Sequence, residues 1–467
     1  MEPIDRTATE IRDALAAGEL RCAELAEHWI ARNAAAASLN CWVEFDAEGL
    51  RRQARAADER LARGERLPLL GVPIGLKDNI EAAGFVCGNG TGALNGRRVD
   101  RDAALVRRLR DAGALIPGKL GMHELAFGIT TNNAVTGAVH NPWDHGRIPG
   151  GSSGGCGAAV GARLVPAAIG TDTGGSVRVP SALCGAAGFR PTVGRVSGDG
   201  IAPISTTRDT AGPLARSVAD LALLDGVLSG DTSALPEVSL RGLKLGLPGE
   251  SFWSDLAPAV EAPARAAVEA LRGAGVEFVP VALPGIEALD GEVSFVVALF
   301  EFVRDMSRYL KEKERGIGFE ALIEGIRSPD VRAIAGSLAS GGAVPESAYQ
   351  AALQARARLQ ALYRDAFAAS GAQALVFPTT PCTAAPIGQD ETFTHNGRAC
   401  PTFATFIRNT DPGSNAALPG ISLPIGLGEG LPVGLALDGP AGSDRRLLAI
   451  GLAVEAVLPR MPLAPLP

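Results

Sequence analysis

Apolar residues recur near a 3.6-residue period across residues 6–36: Ile11, Ala14 and Leu15, then Leu25, Trp29 and Ile30, with Gly18-Glu19-Leu20 between the two groups. That spacing predicts two amphipathic helices. Trp42-Val43-Glu44-Phe45 reads as a short strand, and 47–63 as a charged, arginine-rich helix with a solvated face. The stretch 67–80 is an apolar run bounded by Gly and Pro, the pattern of a buried strand, and it carries one lysine, Lys77. A helix is expected over 102–112, a strand over 114–117, and a helix or turn opening at Met122. Ser217 precedes a helical run to 228, with Asp220 placed to complete a capping box.

The second half repeats the alternation. Residues 230–240 read as a linker, 243–247 as a strand, 258–273 as a helix and 276–280 as a strand. Residues 284–345 are helical and more polar, and 347–369 form a long helix. Strands are expected at 374–378, 421–425 and 433–437, with a last helix over 443–457. Helices alternating with strands predict an α/β fold. A chain of 467 residues allows about two to four domains on length alone. The strands before and after residue 230 are alike in kind, which favours one continuous mixed sheet. The expected organisation is a single domain, 1–467: a helical segment 1–65, a core 66–230, and a half, 231–467, that completes the sheet and the substrate pocket.

Composition narrows the class. Hydrophobic residues make up 46% and charged residues 20%, as in an ordinary globular protein with a large core. The net charge is −7, and no basic stripe is interleaved with aromatics, so nucleic acid is not an expected partner. No apolar run approaches the ~18 residues of a membrane span, and the first residues are polar and acidic, unlike a signal peptide. The seven cysteines are scattered without a CxxC pair, and the five histidines show no ligand spacing. Reduced thiols in a cytoplasmic protein, with no metal and no cofactor, are therefore expected.

The chemistry gathers between Pro149 and Thr192. Pro149-Gly-Gly-Ser-Ser-Gly-Gly-Cys-Gly157 and Gly170-Thr-Asp-Thr-Gly-Gly-Ser-Val-Arg-Val-Pro180 are two glycine-rich turns, each presenting serine. Glycine lets a backbone or ligand approach closely. Gly151-Ser152-Ser153-Gly154-Gly155 matches a G-x-S-x-G nucleophile elbow. That motif needs a later histidine, and His395 stands in what reads as a loop. Neither phosphate-binding motif, GxxxxGK[ST] or a strand-bound GxGxxG, is present. Glycine-serine turns also cap helices without further purpose. Two of them, with an inward lysine upstream, are more specific.

Lys77 in Gly-Leu-Lys-Asp-Asn, the turn 150–155, the turn 170–180 and Gly185-Ala-Ala-Gly-Phe-Arg-Pro-Thr192 together resemble the amidase signature family. The resemblance covers essentially the whole chain, with Arg190 where many members carry lysine. It implies a large mixed sheet covered by helices on both faces. It also implies a Ser–cisSer–Lys triad: Ser176 as nucleophile, Ser152 as bridge after a cis Gly151–Ser152 peptide, and Lys77 as base. The N–H groups of Thr173, Gly174, Gly175 and Ser176 would form the oxyanion hole, with Ser153, Asp172 and Arg178 as supports.

Physical logic agrees. A serine hydroxyl needs a base, and a lysine serves only when burial depresses its pKa.

Within the family the likeness is to bacterial indoleacetamide hydrolases, with mandelamide hydrolases next. It is carried by 122–130, 203–212, 325–331 and 408–415. It implies a primary aryl-acetamide cleaved to acid and ammonia. Ala126, Phe127, Gly128 and Ile129 would line the pocket, the Ala126 carbonyl accepting from the leaving amine. His123 reads as helix-start structure. The rival reading is the A subunit of a tRNA-dependent amidotransferase; a catalytically silent scaffold would need a broken triad. Relatives commonly form homodimers, and the sequence displays no dimer surface.

Overall fold

The computed structural model describes residues 3–465. Eleven strands form its central sheet: β1 (Trp42–Phe45), β2 (Ile74–Lys77), β3 (Gly118–Leu120), β4 (Ala167–Asp172), β5 (Ala187–Arg190), β6 (Thr210–Ala215), β7 (Lys244–Pro248), β8 (Glu277–Val281), β9 (Ala374–Pro378), β10 (Gly420–Gly428) and β11 (Leu431–Asp438). Their spatial order is β1-β3-β2-β4-β6-β5-β10-β11-β9-β7-β8. The sheet is mixed: β2 runs parallel to β3 and β4, while β4–β6, β5–β6, β5–β10 and β10–β11 are antiparallel.

Alternation along the strands separates two cores. Val376, Leu435 and Leu437 pack in one cluster with the helices Ala8–Ala17, Val218–Ser229 and Asp444–Glu455. Leu375, Phe377 and Ala436 face the opposite cluster, with Leu359 and Tyr363 of the helix Glu346–Ser370. Successive side chains on a strand point to opposite faces, so this sheet is covered on both sides.

Local signals set many boundaries. Thr7 and Glu10 form a capping box on the first helix, and Gly18 closes it at φ 75°. Ser217 Oγ accepts from the Asp220 N–H at 3.2 Å. The Asp220 carboxylate does not complete that box. It accepts instead from the N–H groups of Ala8 and Thr9, at 3.1 and 2.8 Å, tying the N-terminal helix to the core.

Several boundaries differ from the sequence expectation. The strand expected at 114–117 lies at 118–120, leaving Leu115 in an isolated bridge with Pro73. Pro117 has no N–H to give a ladder. The segment 284–345 divides into helices Ile286–Glu312, Phe319–Glu324 and Pro329–Ala335. His395 ends one strand of a hairpin, Thr392–His395 with Arg398–Pro401, turned at Asn396-Gly397; its ring is buried, 2.7 Å from the Asp255 carbonyl. Among the described residues, no helix is long and apolar enough to cross a membrane.

Candidate active site

Strand β2 carries Lys77 into the protein interior at its C-terminal end, where the side chain is fully buried. The first glycine-rich turn ends at the helix Gly154–Gly161, and its Gly151–Ser152 peptide is cis. The second follows β4 directly and leads into the helix Arg178–Cys184. Parallel pairing of β2 with β4 brings the two together. Lys77 Nζ lies 2.8 Å from Ser152 Oγ and 2.8 Å from Thr171 Oγ1. The N–H of Ser153 donates to the Ser176 carbonyl at 3.3 Å, joining the turns at the residues that carry the serines. Ser176 is 8% exposed, and its hydroxyl makes no hydrogen bond to another described residue.

Burial drives the Lys77 ammonium down to about 7, against the pull of the Asp172 and Asp209 carboxylates toward higher values. Burial also pushes the Cys156 thiol up to about 12. It is therefore uncharged near neutral pH and offers Lys77 no counter-charge. Near pH 7 a large share of Lys77 is a neutral amine with a lone pair to accept a proton.

Charge of the opposite sign is spent on bracing. Burial raises the Asp172 carboxyl, but Arg178 and Arg190 overcome it and hold the group well below the usual carboxylate range. Arg178 Nε and Arg190 Nη1 donate to it at 3.1 and 2.9 Å, and so does the Val177 N–H at 3.1 Å. Ser153 Oγ donates to the Thr171 carbonyl at 3.1 Å. Asp172, Arg178 and Ser153 thus hold the turns.

The N–H groups of Thr173, Gly174, Gly175 and Ser176 donate to no other described residue. Gly175 has φ 143°, and a Cβ there would stand 2.2 Å from Thr410 Oγ1, so only glycine fits.

Beside this loop is a narrow cleft of about 40 Å³. Ser176, Thr173 and Gly174 line it together with Ala126, Phe127, Ile129, Ile204, Phe295, Ala298, Phe403 and Ile407. Arg208, Ser294 and Asp411 are its polar members; Arg208 and Asp411 pair at 2.7 Å. Phe295 and Phe403 stand with ring centroids 5.6 Å apart, and Phe127 sits edge-on to Phe302 at 4.7 Å. Leu125 and Ala126 both have positive φ, 52° and 62°, a region non-glycine residues seldom occupy.

Gly128 lies outside the cleft lining. A Cβ on it would meet His123 Nε2 at 2.1 Å, so it makes room for that ring. His123 is buried at the head of a short 3₁₀ turn, Glu124–Ala126. Its Nδ1 accepts from the Thr131 N–H at 3.1 Å, which leaves the proton on Nε2, 2.9 Å from Asp330. The ring fastens two loops and does not reach the serines' cleft. A neighbouring cavity, lined by Asn79, Thr171 and Asp209 among others, shares Ala126, Thr173 and Ile204 with the cleft.

Sequence reasoning assigned no role to Phe295, Phe403, Ile407, Ser294, Arg208 or Asp411. The last two fall within stretches 203–212 and 408–415, which carry the likeness to relatives.

A buried amine on a serine, a second serine at a cleft and a row of free N–H groups define an arrangement suited to acyl transfer. Comparison with known proteins gives the class. The Amidase family profile matches residues 24–448. The indoleacetamide hydrolase of Rhizobium radiobacter is 47% identical over 440 residues, covering 94% of each chain. The mandelamide hydrolase of Pseudomonas putida is 43% identical over 459 residues, 94% of this chain and 89% of that one. A crystal structure of an amidase superposes with a TM-score of 0.87 at 35% identity, over 97% of this chain and all of the other. The chain belongs to the amidase family. It is an enzyme, a hydrolase of amide C–N bonds.

Proposed function

We propose that this enzyme hydrolyses a small primary aryl-acetamide, indole-3-acetamide or mandelamide in kind, to the carboxylic acid and ammonia. Ser176 is the nucleophile, Ser152 the relay and Lys77 the base. The observation that carries this reading is the 2.8 Å contact from the fully buried Lys77 amine to Ser152 Oγ.

Neutral Lys77 takes the proton of Ser152, which takes that of Ser176 as its oxygen attacks the amide carbon. The carbonyl oxygen becomes an oxyanion, held by N–H groups of the 173–176 loop. The proton returns along the same route to the amide nitrogen, the C–N bond breaks, and ammonia leaves. Water then repeats the sequence on the Ser176 ester, releasing the acid and the free serine. The Ser152–Ser176 handover must close when substrate enters, since Ser176 Oγ has no partner among the described residues. Catalytic hydrogen bonds are often long until the Michaelis complex forms.

The acyl group meets Phe127, Ile129, Phe295, Phe403 and Ile407, an apolar and largely aromatic wall suited to a flat ring. Indoleacetamide and mandelamide hydrolases as relatives support an arylacetyl preference. The enzyme is read as cytoplasmic, acting on its small substrate without nucleic acid; a homodimer is compatible with this.

Purified protein alone, given indole-3-acetamide beside a panel of primary and N-substituted aryl amides, tests the reading. Ammonia release without ATP or partner supports it. Activity only with added subunits would favour an amidotransferase subunit, and activity confined to anilides or esters would replace the substrate class.

A further inference from the structure

The loop after β4 has its successive carbonyls pinned by four separate donors. Arg190 Nη1 donates to the Asp172 carbonyl at 2.5 Å, and Arg208 Nη2 to the Thr173 carbonyl at 3.4 Å. Thr410 Oγ1 donates to the Gly174 carbonyl at 2.7 Å, and the Val179 N–H to the Gly175 carbonyl at 2.8 Å. In a trans peptide the C=O and the following N–H point in opposite directions. Among the described residues the one cis peptide is Gly151–Ser152, so the geometry of 172–176 is trans throughout. Fixing the carbonyls of 173 and 174 therefore fixes the aim of the N–H groups of 174 and 175.

We infer that Arg208 and Thr410 are positioning residues for the oxyanion: they aim the N–H donors of Gly174 and Gly175 from behind. This inference rests on the proposed hydrolysis through Ser176.

Both donors are themselves held. Arg208 is nearly fully buried, with Nη1 on the Ser294 carbonyl at 2.5 Å and Nη2 on Asp411 Oδ1 at 2.7 Å. Thr410 has its own carbonyl bound by Arg178 Nη2 at 3.1 Å. Its hydroxyl has one proton and two acceptors in reach, and the Gly174 carbonyl at 2.7 Å is closer than the Ile407 carbonyl at 3.2 Å. Gly175, at φ 143°, is the one residue type that leaves room for the hydroxyl. Preorganised donors matter because they need no rearrangement as charge develops.

The test compares Thr410→Val, which keeps the shape and loses the donor, with Thr410→Ser, which keeps the donor. Wild type is first labelled with a fluorophosphonate. Failure to form an adduct on Ser176 would sink the proposed hydrolysis through Ser176, independently of this inference. Given that adduct, Thr410→Val should lose about 10- to 100-fold in kcat with KM within about twofold, short of the ~10²–10³ for removing a donor outright. Its labelling rate should fall in step, and Thr410→Ser should restore both. Wild-type kcat in folded Thr410→Val, or Thr410→Ser no better than Thr410→Val, would overturn the inference. Should the valine variant not fold, Thr410→Cys, with only a weak S–H donor, replaces it under the same criteria.

Discussion

Lys77 Nζ stands 2.8 Å from Ser152 Oγ, with both side chains fully buried and no carboxylate in hydrogen-bond contact with the amine. An ammonium in that position is poorly compensated. The same placement that makes the amine costly to charge favours its neutral form near pH 7, as the proposed role of base requires.

The pH profile follows directly. The base must be neutral, so kcat/KM should rise with pH through an inflection near the Lys77 value of about 7 and level off above it. A profile with its ascending limb below pH 5, where carboxylates titrate, would assign the base elsewhere.

The stability of Lys77→Met carries a sign that can be checked. The folded pKa is depressed from 10.5 to about 7, so between those values the unfolded chain binds the extra proton and stability rises with pH. The burden of burying a charge is therefore greatest below pH 7. Lys77→Met should have a higher Tm than wild type at pH 6, by a margin that shrinks toward pH 10, while losing activity. A margin that grew with pH would contradict the depressed pKa.

Asp172→Asn should damage the fold more than the chemistry. It leaves Arg178 and Arg190 buried without their shared carboxylate, a loss of about 3–5 kcal/mol by analogy with other broken buried pairs. Denaturant titration would read it. Because the folded Asp172 pKa lies well below the ordinary range, its wild-type contribution is fully present above that range and is lost only in strong acid.

Phe403→Ala should separate acyl preference from chemistry. The Phe295–Phe403 pair lines the cleft beside Ser176. An aromatic contact of about 0.5–1.5 kcal/mol corresponds to roughly 2- to 13-fold in kcat/KM for indole-3-acetamide. A small aliphatic amide should be nearly unaffected. Equal losses for both would place the ring outside the acyl pocket.

The meeting of Lys77 with the two serine-bearing turns was legible because it is written locally, in two short turns and one lysine in an apolar run. Strands β4, β5 and β6 were not. Ala167-Ala-Ile-Gly-Thr-Asp172 is buried on both faces by small residues and shows no alternation. The wall of the cleft was hidden for another reason. Phe295 sits on the helix Ile286–Glu312 and Phe403 on Thr402–Ile407, and only the fold brings them together. The resemblance implies a pocket-lining place for Gly128, whereas the space beside it is taken by the His123 ring.

Peptide mapping by mass spectrometry after reaction with a fluorophosphonate addresses the nucleophile itself. The account predicts a single adduct on Ser176, forming faster as pH rises through about 7 and absent in Ser176→Ala. An adduct on another residue, or labelling of Ser176 that ignores the loss of Lys77, would contradict it.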